Sequence, residues 1–289
     1  MKVVLGRDDL AEAAGAAVKE SGEPFERLAV RPVHKASRGF VDGDGPDVCE
    51  LAVVTLLQAV AQDRPVLLLP ITALGRTQHQ TLVTMGRLTV QDIEGRSVGV
   101  RAWSQTTGVW VRGFLTEQYG VDLRKIDWRT YEGAHVDGCE DPSWVTRATQ
   151  GSRLPADFLD GSLDFGIMGN ELPDDDRIRT AITDARTAAA QWSERTGFTP
   201  VNHVVGVSET AAREHSAAVL AAYDAMRAAA SSTASAAVDP TGFAGLRGPV
   251  TRAAAYALEQ EVLPRAVEFD ELVDRTCAAL GVPASRLGG

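Results

Sequence analysis

Two groups of polar residues in this chain are spaced so that they could handle a small acid. The first lies in Ser97–Gly120, SVGVRAWSQTTGVWVRGFLTEQYG. It reads as a short buried strand (Ser97–Val100), a polar turn (Trp103–Thr107) and an amphipathic helix (Gly108–Tyr119) closed by Gly120. Such a unit aims the free N–H groups of the helix start, with the Ser104, Gln105, Thr106 and Thr107 side chains, at one point beyond the strand's carboxyl end. Those donors suit a carboxylate or another anion. The alternative is that Ser104 or Thr106 simply caps the helix. The second group is Arg76 and His79, with His203 far downstream. A guanidinium is a fixed, bidentate cation for a carboxylate, and imidazole exchanges protons near neutral pH. Either histidine could equally be a partly buried ring bonded to backbone.

The elements that must position these residues alternate. Strands are expected at Lys2–Leu5 and Leu28–Arg31, with a helix over Leu10–Lys19 between them. Val48–Val60 begins as a strand and becomes a helix, and Pro65–Pro70, PVLLLP, is an apolar run of the kind found in parallel sheets covered on both faces. Thr81–Met85 reads as a strand leaving this first lobe. A short helix over Val90–Ile93 then leads into the strand at Val98, and further strands are expected at Ile126–Thr130, Leu163–Met168 and Ile178–Ala181, with a helix over Pro155–Leu159. Asn202–Val207 is the return strand. Helices over Ala211–Ala229, Ala253–Leu263 and Phe269–Leu280 follow, and the Ser/Ala stretch Ser231–Ala237 reads as a flexible break. The expected domains are residues 1–84 (first part of lobe one), 85–198 (lobe two) and 199–289 (return to lobe one). That connectivity predicts an α/β fold of two lobes joined by two hinge crossings, with Arg76, His79 and His203 on the hinge side of a cleft between them.

A chain of 289 residues exceeds the size at which one core usually keeps growing, which agrees with two lobes. A net charge of −10 and a pI near 5.0 exclude a generally basic nucleic-acid or anionic-membrane surface and point to a small-molecule partner, while leaving room for a homo-oligomer. Cys49, Cys139 and Cys277 form no CxxC pair, so neither a disulfide framework nor a zinc knuckle is indicated. His34, His135 and His215 lack metal-ligand spacing, and no metal site is expected. The apolar run Val3–Leu5 is too short for a signal peptide, and no run reaches about 18 apolar residues, so the expected location is cytoplasmic.

DIEGRSVGV (Asp92–Val100) and LPADFLDGSLDFGIM (Leu154–Met168) resemble the second lobe of the type II periplasmic-binding-protein fold, which serves solute receptors and enzymes alike. Four more specific segments resemble the 4,5-dihydroxyphthalate decarboxylase family: DVCEL (Asp47–Leu51), GRTQHQTLV (Gly75–Val83), TTGVWVRGFLTEQYGV (Thr106–Val121) followed by IDWRT, and TGFTPVNHVVGV (Thr196–Val207). The pattern departs from the family at Gly6–Asp9, at Thr106–Gly108 and at Tyr131–Gly133, all expected beside the cleft. The resemblance implies a cofactor-independent lyase that removes carbon dioxide from a hydroxylated aromatic or enolisable acid, in a degradative or a biosynthetic role. In that chemistry a base takes a ring-hydroxyl proton, a general acid protonates the carbon left behind, and a cation fixes a retained carboxylate. It assigns Arg76 to one carboxylate, His79 or His203 to proton donation, Glu50 to the base, and Gln105, Thr106 and Thr107 to the other carboxylate. Ser104 would lie beside them, with Trp103 as an aromatic wall. The bland alternatives are that Glu50 caps the following helix, that Trp103 belongs to the core, and that Arg112 pairs with Glu117 or Asp122. The competing functions are a solute-binding protein of an ABC-type importer and a dehydratase-type lyase on the same scaffold.

Overall fold

Apolar runs of strand length alternate along the chain with stretches of helical period, and the computed structural model turns that alternation into two α/β units. It describes residues 1–169, 171–232 and 239–289. In chain order the elements are β1 (Lys2–Val4), α1 (Asp8–Glu20), β2 (Glu26–Arg27), α2 (Ser37–Asp42), β3 (Val48–Ala52), α3 (Val53–Ala61), β4 (Val66–Gly75), β5 (Leu82–Thr84), β6 (Ser97–Ala102), α4 (Thr106–Tyr119), β7 (Asp127–Glu132) and β8 (Thr146–Arg147). They continue with α5 (Leu154–Leu159), β9 (Phe165–Ile167), β10 (Arg179–Thr180), α6 (Ala185–Thr196), β11 (Val201–Ser208), α7 (Glu209–Glu214), α8 (Ser216–Ser231), α9 (Gly242–Glu259) and α10 (Phe269–Leu280). The α/β class and the two-unit organisation agree with the fold expected from the sequence. Among the described residues no helix is long and apolar enough to cross a membrane.

Unit 1 comprises Met1–Arg76, Val201–Ala254 and Leu263–Gly289. Its sheet has the order β2-β1-β3-β11-β4, with β1 parallel to β2 and β3, and β11 antiparallel to β3 and β4. The parallel strands therefore present their carboxyl ends, Leu5–Gly6, Leu28 and Glu50–Ala52, along one edge. Helix α3 is buried along its whole length, and α1 packs against α8 on unit 1's own core.

Unit 2 comprises Thr77–Pro200 and Ala255–Val262. Its sheet has the order β10-β5-β9-β6-β7-β8, in which β9, β6, β7 and β8 are parallel and β5 runs antiparallel to its neighbours. Trp103, Trp110, Phe114, Trp128 and Trp192 are all buried in it. Residues 77–84, expected with the first lobe, fall in this unit because β5 pairs with β9 and β10.

Several boundaries differ from expectation for identifiable reasons. The second strand is Glu26–Arg27, and Leu28–Arg31 only carries its end: Leu28 N–H still bonds Val3 O at 2.9 Å. β4 runs on through Pro70 at the end of the strand order; its ladder partner is antiparallel β11, and Ile71 adds a single bridge to Thr241. The pairing slips between Leu69 and Thr72, the irregularity that lets a proline sit inside a strand. α4 starts at Thr106, two residues earlier than expected, with Gln105 at the N-cap position. Val90–Asp92 is a single 3-10 turn closed by a Thr89–Asp92 capping box. The expected helix over Ala211–Ala229 divides at His215 into α7 and α8. α9 begins at Gly242 and carries Pro249 inside it, because Phe243, Leu246, Val250, Ala253 and Ala257 keep a buried face at helical spacing across the proline. Short α2 and α6 were not expected. The Ser231–Ala237 break lies, from residue 233 onward, outside the described residues.

Candidate active site

The residues that come together are Glu50 and His203. On adjacent strands β3 and β11, Glu50 stands opposite Val205 and His203 opposite Ala52, so the two side chains are diagonal neighbours on one face. Their separation follows from that register: His203 Nδ1 lies 2.6 Å from Glu50 Oε1. The other carboxylate oxygen accepts the Gly6 N–H at 2.7 Å. Glycine makes that close approach possible, since a Cβ on residue 6 would sit 2.8 Å from Glu50 Oε2 and push the carboxylate aside. Glu50 is 6% exposed. Burial pushes its pKa up, but the His203 hydrogen bond and charge, the Gly6 amide and the positive charge of Arg31 outweigh this and hold it below the ordinary value.

An ionised Glu50 that accepts from Nδ1 fixes the neutral imidazole as the Nδ1–H tautomer, which leaves Nε2 as the atom able to take or give a proton. The His203 side chain is 25% exposed, so that atom belongs to a partly open edge. Glu50 orients the histidine. It is neither a helix cap nor a freely available base, which corrects the sequence expectation. Cys49 beside it is no thiolate: burial, with Glu50's charge, pushes its pKa up to about 12. Arg7, from the same turn as Gly6, is neutralised by Asp9 at 2.5 Å and Asp239 at 3.0 Å.

The other expected residues divide between the two units. Arg76 ends the first of unit 1's three segments and is half-buried. His79 belongs to unit 2 and is fully buried, its ring stacked on Phe114 at 4.1 Å between centroids. His79 Nε2 lies 2.7 Å from Gln118 Oε1, so the neutral ring carries its proton on Nε2 and donates it to the amide. Burial lowers the pKa of this ring, with the Gln118 bond opposing. Its environment is that of a packed neutral core histidine, which corrects its expected exposure to a ligand.

Trp103 is likewise core: it is 1% exposed, donates Nε1–H to Gln260 O at 2.9 Å and carries Arg112 on its face at 3.6 Å. It forms no aromatic wall. Thr106 and Thr107 are buried in the first turn of α4, while Ser104 and Gln105 are half-buried before it.

The distinctive VWVRGFLTEQYG segment reads a different partner from the one expected. Arg112 is completely buried and pairs with neither Glu117 nor Asp122; it donates to Gln260 Oε1 at 2.7 Å and to Trp103 O at 2.6 Å. Gly113 leaves a notch filled by the Tyr256 ring, where a Cβ would lie 2.1 Å from Tyr256 Cδ2. Trp110 meets that ring edge-on at 5.8 Å, and Glu117 accepts the Tyr256 hydroxyl while also pairing with Arg195 at 2.7 Å. Trp110, Arg112, Gly113 and Glu117 thus build the seat for Ala255–Val262, the late segment that completes unit 2.

Gly6 was noted in the sequence only as part of an unusual turn. The signal that could have found its role is a glycine directly after a strand, where another group must approach the backbone closely.

No protein-family model matches the chain. Among curated proteins it is similar to 4,5-dihydroxyphthalate decarboxylase of Comamonas testosteroni, 27% identical over 191 residues, with 58% of this chain and 56% of that protein covered. The chain thus spans little more than half the length of the curated relative it matches. Among solved structures the desulfurization enzyme DszB aligns with a TM-score of 0.53 at 14% identity, covering 97% of this chain and 99% of that one. The alkanesulfonate-binding protein SsuA from Xanthomonas axonopodis pv. citri aligns with a TM-score of 0.49 at 12% identity, covering 94% and 96%. At such identities a structural likeness speaks for the fold alone. The chain is thus similar in sequence, over part of its length, to a 4,5-dihydroxyphthalate decarboxylase, and it shares its two-unit α/β fold with the solved desulfurization enzyme DszB.

Proposed function

We propose that this protein is a cofactor-independent lyase that removes carbon dioxide from a small hydroxylated aromatic or enolisable carboxylic acid, with His203 as the residue that moves the proton. The observation that carries the reading is the Glu50–His203 pair, a buried carboxylate at 2.6 Å from Nδ1 that leaves Nε2 partly exposed. Sequence similarity to a decarboxylase supports the reaction class.

In a para-hydroxylated acid, the hydroxyl proton passes to solvent water, the phenolate pushes electron density into the ring, and the oxygen takes a proton back from solvent once carbon dioxide has left. The imidazolium Nε2–H then gives its proton to the ring carbon bearing the carboxylate. The carbon–carboxylate bond breaks, carbon dioxide leaves, and the bonding pair stays on the ring and restores aromaticity. Net, one carboxylate and one proton become one arene hydrogen and one carbon dioxide. Glu50 stabilises the imidazolium before transfer and keeps the ring oriented through the cycle.

The test is incubation of the purified protein, without added cofactor or metal, with 4,5-dihydroxyphthalate and a panel of related hydroxylated aromatic acids, following carbon dioxide and product mass. Turnover of a member, with one solvent deuteron on the vacated carbon in heavy water, is the expected result. Saturable binding of an acid without any turnover would replace this reading with that of a solute receptor.

A further inference from the structure

The chemistry above needs a cation for a retained carboxylate, and Arg31, beyond the end of β2, is tied to the Glu50–His203 pair through Gly6. Past β2 the chain forms a cavity of about 270 Å³ lined by Arg27, Leu28, Ala29 and Arg31, close to the lower end of the size range of small-ligand sites. It lies at the carboxyl edge of the parallel strands of unit 1, where ligands of open α/β sheets gather.

The two arginines differ in how they are held. Arg27 is paired with Asp8 at 2.5 Å and also donates to Leu5 O at 3.2 Å. Arg31 stands 3.8 Å from the same Asp8 oxygen. Its hydrogen bonds go to carbonyl oxygens alone, Val30 O at 3.3 Å and Leu5 O and Gly6 O at 3.4 Å each, all near the long limit for such bonds. The Arg31 side chain remains 55% exposed. One carboxylate thus serves two guanidinium groups, and Arg31 spends three of its N–H groups on long carbonyl bonds while Nε–H and one Nη2–H stay available. Arg31 also touches the catalytic pair through one residue: it donates to the carbonyl of Gly6, whose N–H holds Glu50.

We propose that Arg31, with Leu28 and Ala29 as the apolar wall of the same cavity, binds a carboxylate of a small single-ring acid and places that ring beside His203. This rests on the reading of the Glu50–His203 pair as the reacting site and moves the carboxylate anchor from Arg76 to Arg31.

The probe is phthalate, which carries two carboxylates and lacks the hydroxyl needed for reaction. Its binding is measured by calorimetry on the full chain and on the Arg31→Met and Arg31→Lys variants, with melting curves to check folding. The expected result is saturable binding to the unsubstituted protein, a loss of about tenfold or more in Arg31→Met and a smaller loss in Arg31→Lys, as removal of a charge-assisted bidentate contact requires. Absent binding to the unsubstituted protein, or equal affinity in a folded Arg31→Met, would overturn the proposal. Decarboxylation of 4,5-dihydroxyphthalate separates the two ideas. Arg31-dependent phthalate binding without carbon dioxide release keeps the subsite and removes the lyase reading, whereas turnover with an unchanged KM in Arg31→Met removes the subsite and keeps the lyase.

Discussion

Replacing Glu50 with glutamine tests the site without any substrate. The native carboxylate faces two donors, His203 Nδ1–H at 2.6 Å and Gly6 N–H at 2.7 Å, with 6% of the residue exposed. A glutamine keeps the shape but has one oxygen and one NH2, so it can accept from one of those donors only. The imidazole responds by moving its own proton: Nδ1 accepts from the amide, and the ring becomes the Nε2–H tautomer. The variant loses two charge-assisted bonds and gains neutral ones, a destabilisation of about 1–3 kcal/mol. For a chain of this size that is roughly 2–4 °C of melting temperature for each kcal/mol. Histidine-selective long-range nitrogen–proton NMR reads the tautomer, and thermal melting reads the cost. The expected outcome is Nδ1–H in the unsubstituted protein and Nε2–H in Glu50→Gln, with a lower melting temperature.

The pH dependence carries a sign as well. Because the folded pKa of Glu50 lies below its unfolded value, its contribution is fully present above the unfolded value of about 4.3. It is lost as pH falls through the folded one, so the stability gap between the two proteins closes in acid. An unchanged tautomer together with an unchanged melting temperature would refute the assignment of Glu50 as the group that orients His203.

Three further outcomes follow from the packing. Gly113→Ala gains about 1 kcal/mol of helix propensity but forces the Tyr256 ring away from a Cβ 2.1 Å from it; overpacking of this kind costs about 1–3 kcal/mol, so the variant melts lower, and the penalty disappears in a Tyr256→Ala background. His79, whose pKa burial depresses, binds a proton more readily unfolded than folded; stability therefore falls as pH drops below about 6.5, and His79→Gln flattens that slope in urea titrations between pH 7 and 5. Arg112→Lys cannot span both Gln260 Oε1 and Trp103 O, and loses about 1–3 kcal/mol by denaturant unfolding, since one buried acceptor is left without a donor.

How much of this was legible in the sequence depended on the range of the forces involved. Local periodicity carried Val48–Val60 as strand then helix, the return strand around NHVVGV and the helix Phe269–Leu280, because an alternating or helical apolar pattern is written within a dozen residues. The Glu50–His203 pair was half legible. Both residues stood out by type, but their relation is 153 residues long in sequence and exists only through the β3–β11 register.

His79 was misjudged because nothing near it in the chain announces the Phe114 ring or the Gln118 amide that enclose it. The motif around Arg112 was conspicuous as a resemblance to a family, yet its composition is set by Tyr256 and Gln260, more than a hundred residues later, so what it reports is packing. Pro70 and Pro249 misled in the opposite direction. Each is a local breaker overridden by tertiary burial, at a strand irregularity in one case and along a continuous buried helix face in the other.

The most direct test of the proposed chemistry is the rate of carbon dioxide release from 4,5-dihydroxyphthalate by the unsubstituted protein, by His203→Asn and by His79→Asn, measured side by side at one pH with binding of the acid followed in parallel. The account predicts turnover by the unsubstituted protein, turnover largely kept by His79→Asn, and turnover lost by His203→Asn, about 10²–10⁴-fold for a general acid, while the acid still binds. Full activity in His203→Asn, or loss of activity confined to His79→Asn, would contradict it.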